Sequence, residues 1–155
     1  MNKIVILSDT HKNLRAISSI LEIMDESDFV FHLGDHYDDM NDFLPILKNR
    51  LYRVHGNCDY GATKEIVVEI GGRKILATHG DLYGVKGGLG RLEKRAKELN
   101  CDTVFYGHTH AASIEERGGI IFVNPGCMTY YAPEKSFCYA VIDGGKMTAV
   151  INRKV

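Results

Sequence analysis

The sequence predicts an α/β fold in which two mixed β-sheets pack face to face with helices outside, and three observations support it. Up to about residue 106, short β-branched runs alternate with helical apolar stripes. The pairs Gly71-Gly72, Gly118-Gly119 and Gly144-Gly145 each separate two strand-like runs, as two-residue hairpin turns do. No linker, repeat or low-complexity tract divides the 155 residues, so one domain over 1–155 is expected. Strand–helix units followed by hairpins are the pattern of layered mixed sheets.

The elements follow in order. Residues 3–7 read as a buried strand, and Leu14, Ile17, Ile20, Leu21 and Met24 mark a helical stripe after an Asn13 cap. Residues 29–33 and 51–55 read as further strands, with a short helix over 39–48 disturbed by Pro45. The first hairpin joins 66–70 to 74–78. Leu89, Leu92, Ala96 and Leu99 form the next helical stripe, with Glu93 and Lys97 paired four apart on the wet side. Residues 103–106 make a strand, and two hairpins close the chain, 113–117 with 120–124 and 139–143 with 147–152.

Composition excludes several classes. Hydrophobic content of 45%, charged content of 25% and a net charge of -1 without a basic block fit an ordinary globular protein and give no strong nucleic-acid signal. No apolar run approaches the roughly 20 residues of a membrane span, and the apolar part of residues 1–7 is too short for a signal peptide. Cys58, Cys101, Cys127 and Cys138 form no Cys-x-x-Cys pair, and the last three read as reduced thiols. A cytoplasmic location is expected.

Function is written at the strand ends. Ser8-Asp9-Thr10-His11 follows the first strand, Gly34-Asp35 the second and Gly56-Asn57-Cys58-Asp59 the third. His79-Gly80-Asp81 and Gly107-His108-Thr109-His110 follow two later ones. Any one of these is an ordinary turn. Repeated at five strand ends they describe a crevice, because ligands in α/β sheets sit beyond the carboxyl ends of strands. Asp9, His11, Asp35, Asn57, His79, His108 and His110 supply seven oxygen or nitrogen donors, too many for one open catalytic ion. Mixed imidazole and carboxylate suits manganese, iron, zinc, nickel or cobalt. Two ions sharing one carboxylate would use all seven. Two dications and two aspartates leave a charge of about +2, which a hydroxide and a phosphodiester monoanion neutralise.

These blocks resemble the calcineurin-like metallophosphoesterase superfamily, whose pattern is Asp-x-His, Gly-Asp, Gly-Asn-His-Asp, a lone His and Gly-His-x-His. They occur here in family order between residues 8 and 110. The short chain, the Ser-Asp-Thr-His opening and Cys58 in place of the usual histidine look most like the small YfcE-type phosphodiesterase branch. The resemblance implies a four-layer αββα sandwich with a dinuclear centre, manganese foremost as activator. Asp9, His11 and His110 would hold one ion and Asn57, His79 and His108 the other, with Asp35 bridging. A bridging hydroxide would then attack phosphorus in line. Cys58 and Asp59 are the candidate catalytic residues beyond the ligands. Asp59 and Asp81 would orient imidazoles or act as turn acids. His32 and His55 read as structural, His36 as a loop histidine, Asn13 as a cap, and Asp38 and Asp39 as helix-start charges. The expected partner is a small-molecule phosphate ester, with a second copy of the chain where relatives form homo-oligomers. Two alternatives stand beside this reading: a phosphomonoesterase of the same fold and a non-catalytic interaction scaffold.

Overall fold

Side chains on both faces of the first strand, β1 (Asn2–Leu7), are buried, and that sets the layering in the computed structural model, which describes residues 1–153 and 155. Ile4 and Ile6 face one side and Val5 and Leu7 the other, and all four are fully buried. A strand covered on both faces belongs at the centre of a sheet. There β1 pairs parallel with β2 (Phe29–His32), which pairs parallel with β3 (Leu51–Arg53). The second sheet takes β4 (Glu65–Ile70), β5 (Arg73–Thr78), β6 (Thr103–Phe105), β7 (Ser113–Arg117) and β8 (Ile120–Asn124) in the order β4-β5-β6-β8-β7. The chain returns to the first sheet with β9 (Phe137–Asp143), antiparallel to β1, and β10 (Lys146–Asn152) at its edge. Both sheets are mixed and five-stranded.

Three apolar clusters separate four layers. Ile4, Ile6, Phe31, Ile75, Phe105 and Val123 interlock between the sheets. Val5, Leu7 and Val30 meet Ile17, Met24 and Leu47 on the outer face of the first sheet. Leu76, Val104 and Phe122 meet Leu92 and Ala96 on the outer face of the second. The expected arrangement of two mixed sheets flanked by helices is present. The three hairpins pair across their glycines, Ile70 with Arg73, Arg117 with Ile120 and Asp143 with Lys146. Both glycines of every pair have positive φ, as type I′ turns require. Among the described residues no helix is long and apolar enough to cross a membrane.

Local departures have physical causes. The expected first helix is two, α1 (Leu14–Ser19) and α2 (Leu21–Asp25), broken at Ile20. Ser19 Oγ donates to the Ala16 carbonyl (2.6 Å), the competition with the helical ladder that serine offers. Pro45 does not disturb a helix over 39–48. A 3₁₀ helix covers Tyr37–Phe43, and Pro45 lies in the first turn of α3 (Leu44–Leu47), where a missing N–H leaves nothing unpaired. Leu33, Val54, His55 and Tyr106 fall beyond their strands, in the loops that turn toward one edge of the sandwich. The stripe starting at Leu89 forms α4 (Gly90–Glu98), with Lys97 Nζ 2.9 Å from Glu93 Oε2 as expected.

Phe105 lies edge-on to Phe31 (5.1 Å, 85°) between the sheets and is fully buried. Phe105→Ala is therefore expected to cost about 3–5 kcal/mol, while Leu14→Ala at 38% exposure costs less than about 1 kcal/mol, both read from urea unfolding midpoints.

Candidate metal centre

The C-terminal ends of β1, β2 and β3 in one sheet and of β5 and β6 in the other emerge at the same edge. Backbone bonds knit the emerging loops: Asp9 N–H to Gly34 O (3.0 Å) and Gly107 N–H to His79 O (3.0 Å) within the sheets. Between the sheets, His108 N–H donates to Asp9 Oδ2 (3.2 Å), joining residues 99 apart in sequence.

Two donor groups result. Asp9, His11, Asp35 and His110 form one, and Asp35, His79 and His108 the other, with Asp35 common to both. Each carboxylate is half committed. Asp9 Oδ2 accepts from Ser8 Oγ (2.5 Å) and His108 N–H, leaving Oδ1 3.1 Å from His110 Nε2 and 3.9 Å from His11 and His79 Nε2. Asp35 Oδ1 accepts the Cys58 N–H (2.9 Å) and lies 3.5 Å from His79 Nε2, and Oδ2 lies 3.7 Å from His11 Nε2. Among the described residues, Asp9 Oδ1 and His11 Nε2 are buried without a hydrogen-bond partner. Such orphaned polar atoms cost free energy unless something pairs with them. Donors 2.0–2.2 Å from one divalent ion stand roughly 3–3.5 Å apart, close to these spacings. His79 Nδ1 meets the Leu33 carbonyl (2.8 Å), so its proton sits there and the Nε2 lone pair faces the cluster. These residues fit a divalent cation.

The electrostatics agree. Burial pushes Asp35 up, but contact with His79 and the Cys58 amide outweighs it and holds the carboxyl well below the usual carboxylate range. Burial lowers His11 and, with His79 beside it, His108. Burial also opposes protonation of His79, yet the Asp35 and Asp9 carboxylates raise its pKa, and contact with Asp9 raises that of His110. The carboxylate pair draws positive charge from whatever can supply it.

The backbone is strained where the donors sit. Asp9, His11, Asp35, His108 and His110 all have positive φ, between 42° and 70°. For residues with a Cβ this is sparsely populated and persists only where neighbours impose it. Asp59 is one such neighbour. It orients no imidazole; its two oxygens accept the N–H groups of Asp35, His36, Tyr37 and Gly56 at 2.8–3.1 Å, the turn-acid role. A methyl group on Gly56 would overlap Asp35 Oδ1, so only glycine fits there.

Other positioning residues escaped the sequence reading. Asn124 Nδ2 donates to Gly107 O (3.2 Å) and Thr109 Oγ1 (2.9 Å), holding the turn between His108 and His110. Its signal was present: Asn124-Pro125-Gly126 is one more polar strand end beside a glycine. Thr10 donates to Asp39 Oδ2 (2.7 Å), which also accepts the Lys12 N–H (2.8 Å). The Thr10 hydroxyl proton being spent, His32 Nε2 must donate to it (3.0 Å), while His32 Nδ1 accepts from Gly34 N–H (3.2 Å). His32 is thus a fully buried neutral imidazole, and burial lowers its pKa from 6.5 to about 4.

The remaining candidates lie around this cluster. Asn57 is exposed and its amide rests 3.7 Å from Cys58 Sγ, itself exposed. His36 has its ring 4.9 Å from His11, and His55 stacks on Tyr37 (4.0 Å, 11°). Asp81 opens the 3₁₀ turn Asp81–Tyr83, and Asp38 and Asp39 lie in the first turn of theirs. Asn13 caps α1 through Ala16 N–H (3.2 Å) and also donates to Met128 O (2.7 Å). Cys58, Cys101, Cys127 and Cys138 are all free thiols.

Residues 2–147 match the sequence profile of the calcineurin-like phosphoesterase superfamily domain. A Bacillus subtilis protein named "Probable metallophosphoesterase YsnB" is 33% identical over 144 residues, covering 90% of this chain and 82% of its own. A phosphodiesterase of Methanocaldococcus jannaschii is 32% identical over 149 residues, covering 83% and 86%. A crystal structure from Streptococcus pneumoniae, described as a predicted phosphoesterase, superposes with TM-score 0.82 at 26% identity, covering 98% of this chain and 89% of its own.

Gly56→Ala is expected to displace Asp35 and strip most bound divalent metal while circular dichroism stays native; an unchanged metal content by elemental analysis would contradict the crowding argument. His32 sets a pH dependence. The unfolded chain takes up a proton there near pH 6.5 and the folded chain near pH 4, so unfolding is favoured as pH falls between those values. The contribution is intact above pH 6.5 and its loss reaches about 3 kcal/mol by pH 4. In metal-free protein, His32→Gln should flatten the urea-midpoint profile across that window.

Proposed function

The chain belongs to the calcineurin-like phosphoesterase superfamily, and we propose that it is a divalent-metal-dependent phosphodiesterase working through a dinuclear centre. The observation that carries the reading is Asp35, one buried carboxylate shared by two donor groups whose facing atoms include orphaned ones. Asp9, His11 and His110 would hold one ion and His79 and His108 the other, with Asp35 between. Asn57 would complete the second set by turning its exposed amide inward. Manganese is the activator proposed first, with iron, zinc, nickel or cobalt suiting the same donors. When bound, the ions supply Lewis acidity that acidifies water and offsets charge on the phosphate.

The chain's own residues then do specific work. The Leu33 carbonyl keeps His79 in the tautomer that can ligate, and Ser8 with the His108 amide turns Asp9 Oδ1 toward the cluster. Cys58 bears on ester preference. Without metal, burial and the nearby Asp35, Asp59 and Asp9 carboxylates raise the thiol's pKa, and in either protonation state a cysteine adds no positive charge where an imidazolium would. A phosphomonoester dianion needs that charge more than a diester monoanion does. A neutral thiol is also a poor acid for an alkoxide leaving group.

Reconstitution with excess Mn²⁺ should load two ions per chain, counted by anomalous scattering; at most one ion defeats the dinuclear reading, and none at all favours the scaffold alternative. Asp35→Ala should empty both sites, whereas His11→Ala leaves the second partly filled, and equal occupancy in wild type and Asp35→Ala rules out a bridge. Wild type should hydrolyse activated diesters well above matching monoesters, and Cys58→His should gain relative monoesterase activity. A wild-type preference for monoesters, or a ratio unmoved in Cys58→His with metals bound, defeats the account of Cys58.

A further inference from the structure

Beside His110 the surface opens into a cavity of about 500 Å³, which the chemistry above does not use. A smaller recess of about 170 Å³ adjoins the loop carrying Cys58. The His11 ring touches one wall residue of each, His110 at 5.5 Å and His36 at 4.9 Å between centroids. The donor cluster therefore lies between a large recess and a small one. A phosphorus atom held there can send one substituent into each.

The two recesses differ in chemistry as well as size. The large one is in the range of ligand-binding pockets. Tyr131, 97% exposed, and Pro133 offer apolar faces at its rim, and Ala132 leaves its wall short. Glu134 and Arg153 line the same cavity and pair with each other, Oε1 to Nε at 3.0 Å, with both side chains more than half exposed, so they present acceptors and donors without net charge. A flat ring that stacks on tyrosine and exchanges hydrogen bonds at its edge suits this lining. The small recess has about 170 Å³ and is walled by Asp38, Asp59 and Cys58 with the rings of His36, Tyr37, His55 and Tyr60, so its carboxylates disfavour an anionic arm and its size favours a small one.

We propose that the cavity beside His110 is a subsite for a nucleoside-sized heteroaromatic arm, which makes the substrate an unsymmetrical phosphodiester with one such arm and one small alcohol. The proposal rests on the metal-site reading above. Titration calorimetry on the Mn²⁺-loaded protein with inorganic phosphate, methyl phosphate and adenosine 5′-monophosphate separates the two. Inorganic phosphate reports the metal site; adenosine 5′-monophosphate adds the arm. The nucleotide should bind about tenfold tighter than methyl phosphate, or more. Ala132→Trp, which fills the cavity, should erase that advantage, and Tyr131→Ala, on a fully exposed ring, should reduce it. Equal affinity for the nucleotide and methyl phosphate in wild type, or an advantage that survives both substitutions, overturns the subsite. Failure of inorganic phosphate to bind overturns the metal-site reading and the subsite with it.

Discussion

Two carboxylates buried within reach of the same imidazoles form the constraint on which the rest of this structure depends. Asp9 is wholly buried and Asp35 is 3% exposed, and His79 Nε2 lies 3.9 Å from one and 3.5 Å from the other. Anions taken out of water that close together are costly unless positive charge and hydrogen bonds compensate. Here the compensation is divided. Peptide N–H groups and a serine hydroxyl secure one oxygen of each carboxylate, and the other is left for imidazoles or a cation. A site built this way suits divalent ions, because its imidazole and carboxylate donors can face a cation together.

Holding the donors in place requires backbone that most residues avoid. Five candidate ligands sit at positive φ, each at a cost of order 1–3 kcal/mol, and none is glycine. Three side chains make that conformation pay through peptide hydrogen bonds: Asp59 for the Asp35 loop, Asp39 for the His11 loop and Asn124 for the His108 loop. The stability that tolerates such strain comes from elsewhere, from the three apolar layers that the strands and helices bury. Strain gathers at the edge and packing at the centre.

Much of this was legible in one dimension because its causes are local. β-branched alternation marks strands buried on one or both faces, and paired glycines mark type I′ hairpins, since both depend on neighbours within a few residues. The same holds for the candidate donors Asp9, His11, Asp35, His79, His108 and His110, which stand at strand ends, the last four near glycines. The break at Ile20 and the fit of Pro45 within a first turn were not legible, because competing local preferences there differ by only fractions of a kcal/mol and packing decides. Asp59 was equally ambiguous. A carboxylate three residues after a glycine can serve an imidazole or a turn, and only the position of the Asp35 loop against it selects the turn.

The sequence by itself determined the layer pattern and the hairpins and pointed to six candidate donors that the fold gathers, with Asn57 left exposed outside them, because periodicity and side-chain chemistry are properties of short segments. Only the tertiary structure decided that Asp35 is shared by two donor groups, that His32 is neutral and joined to Thr10, and that unequal recesses flank His11. Each of these depends on contacts between segments from 22 to 99 residues apart, such as His32 to Thr10 and His108 to Asp9. Residue order constrains such distances only through the packing of the two sheets, and so the site acquires its geometry when the sheets meet.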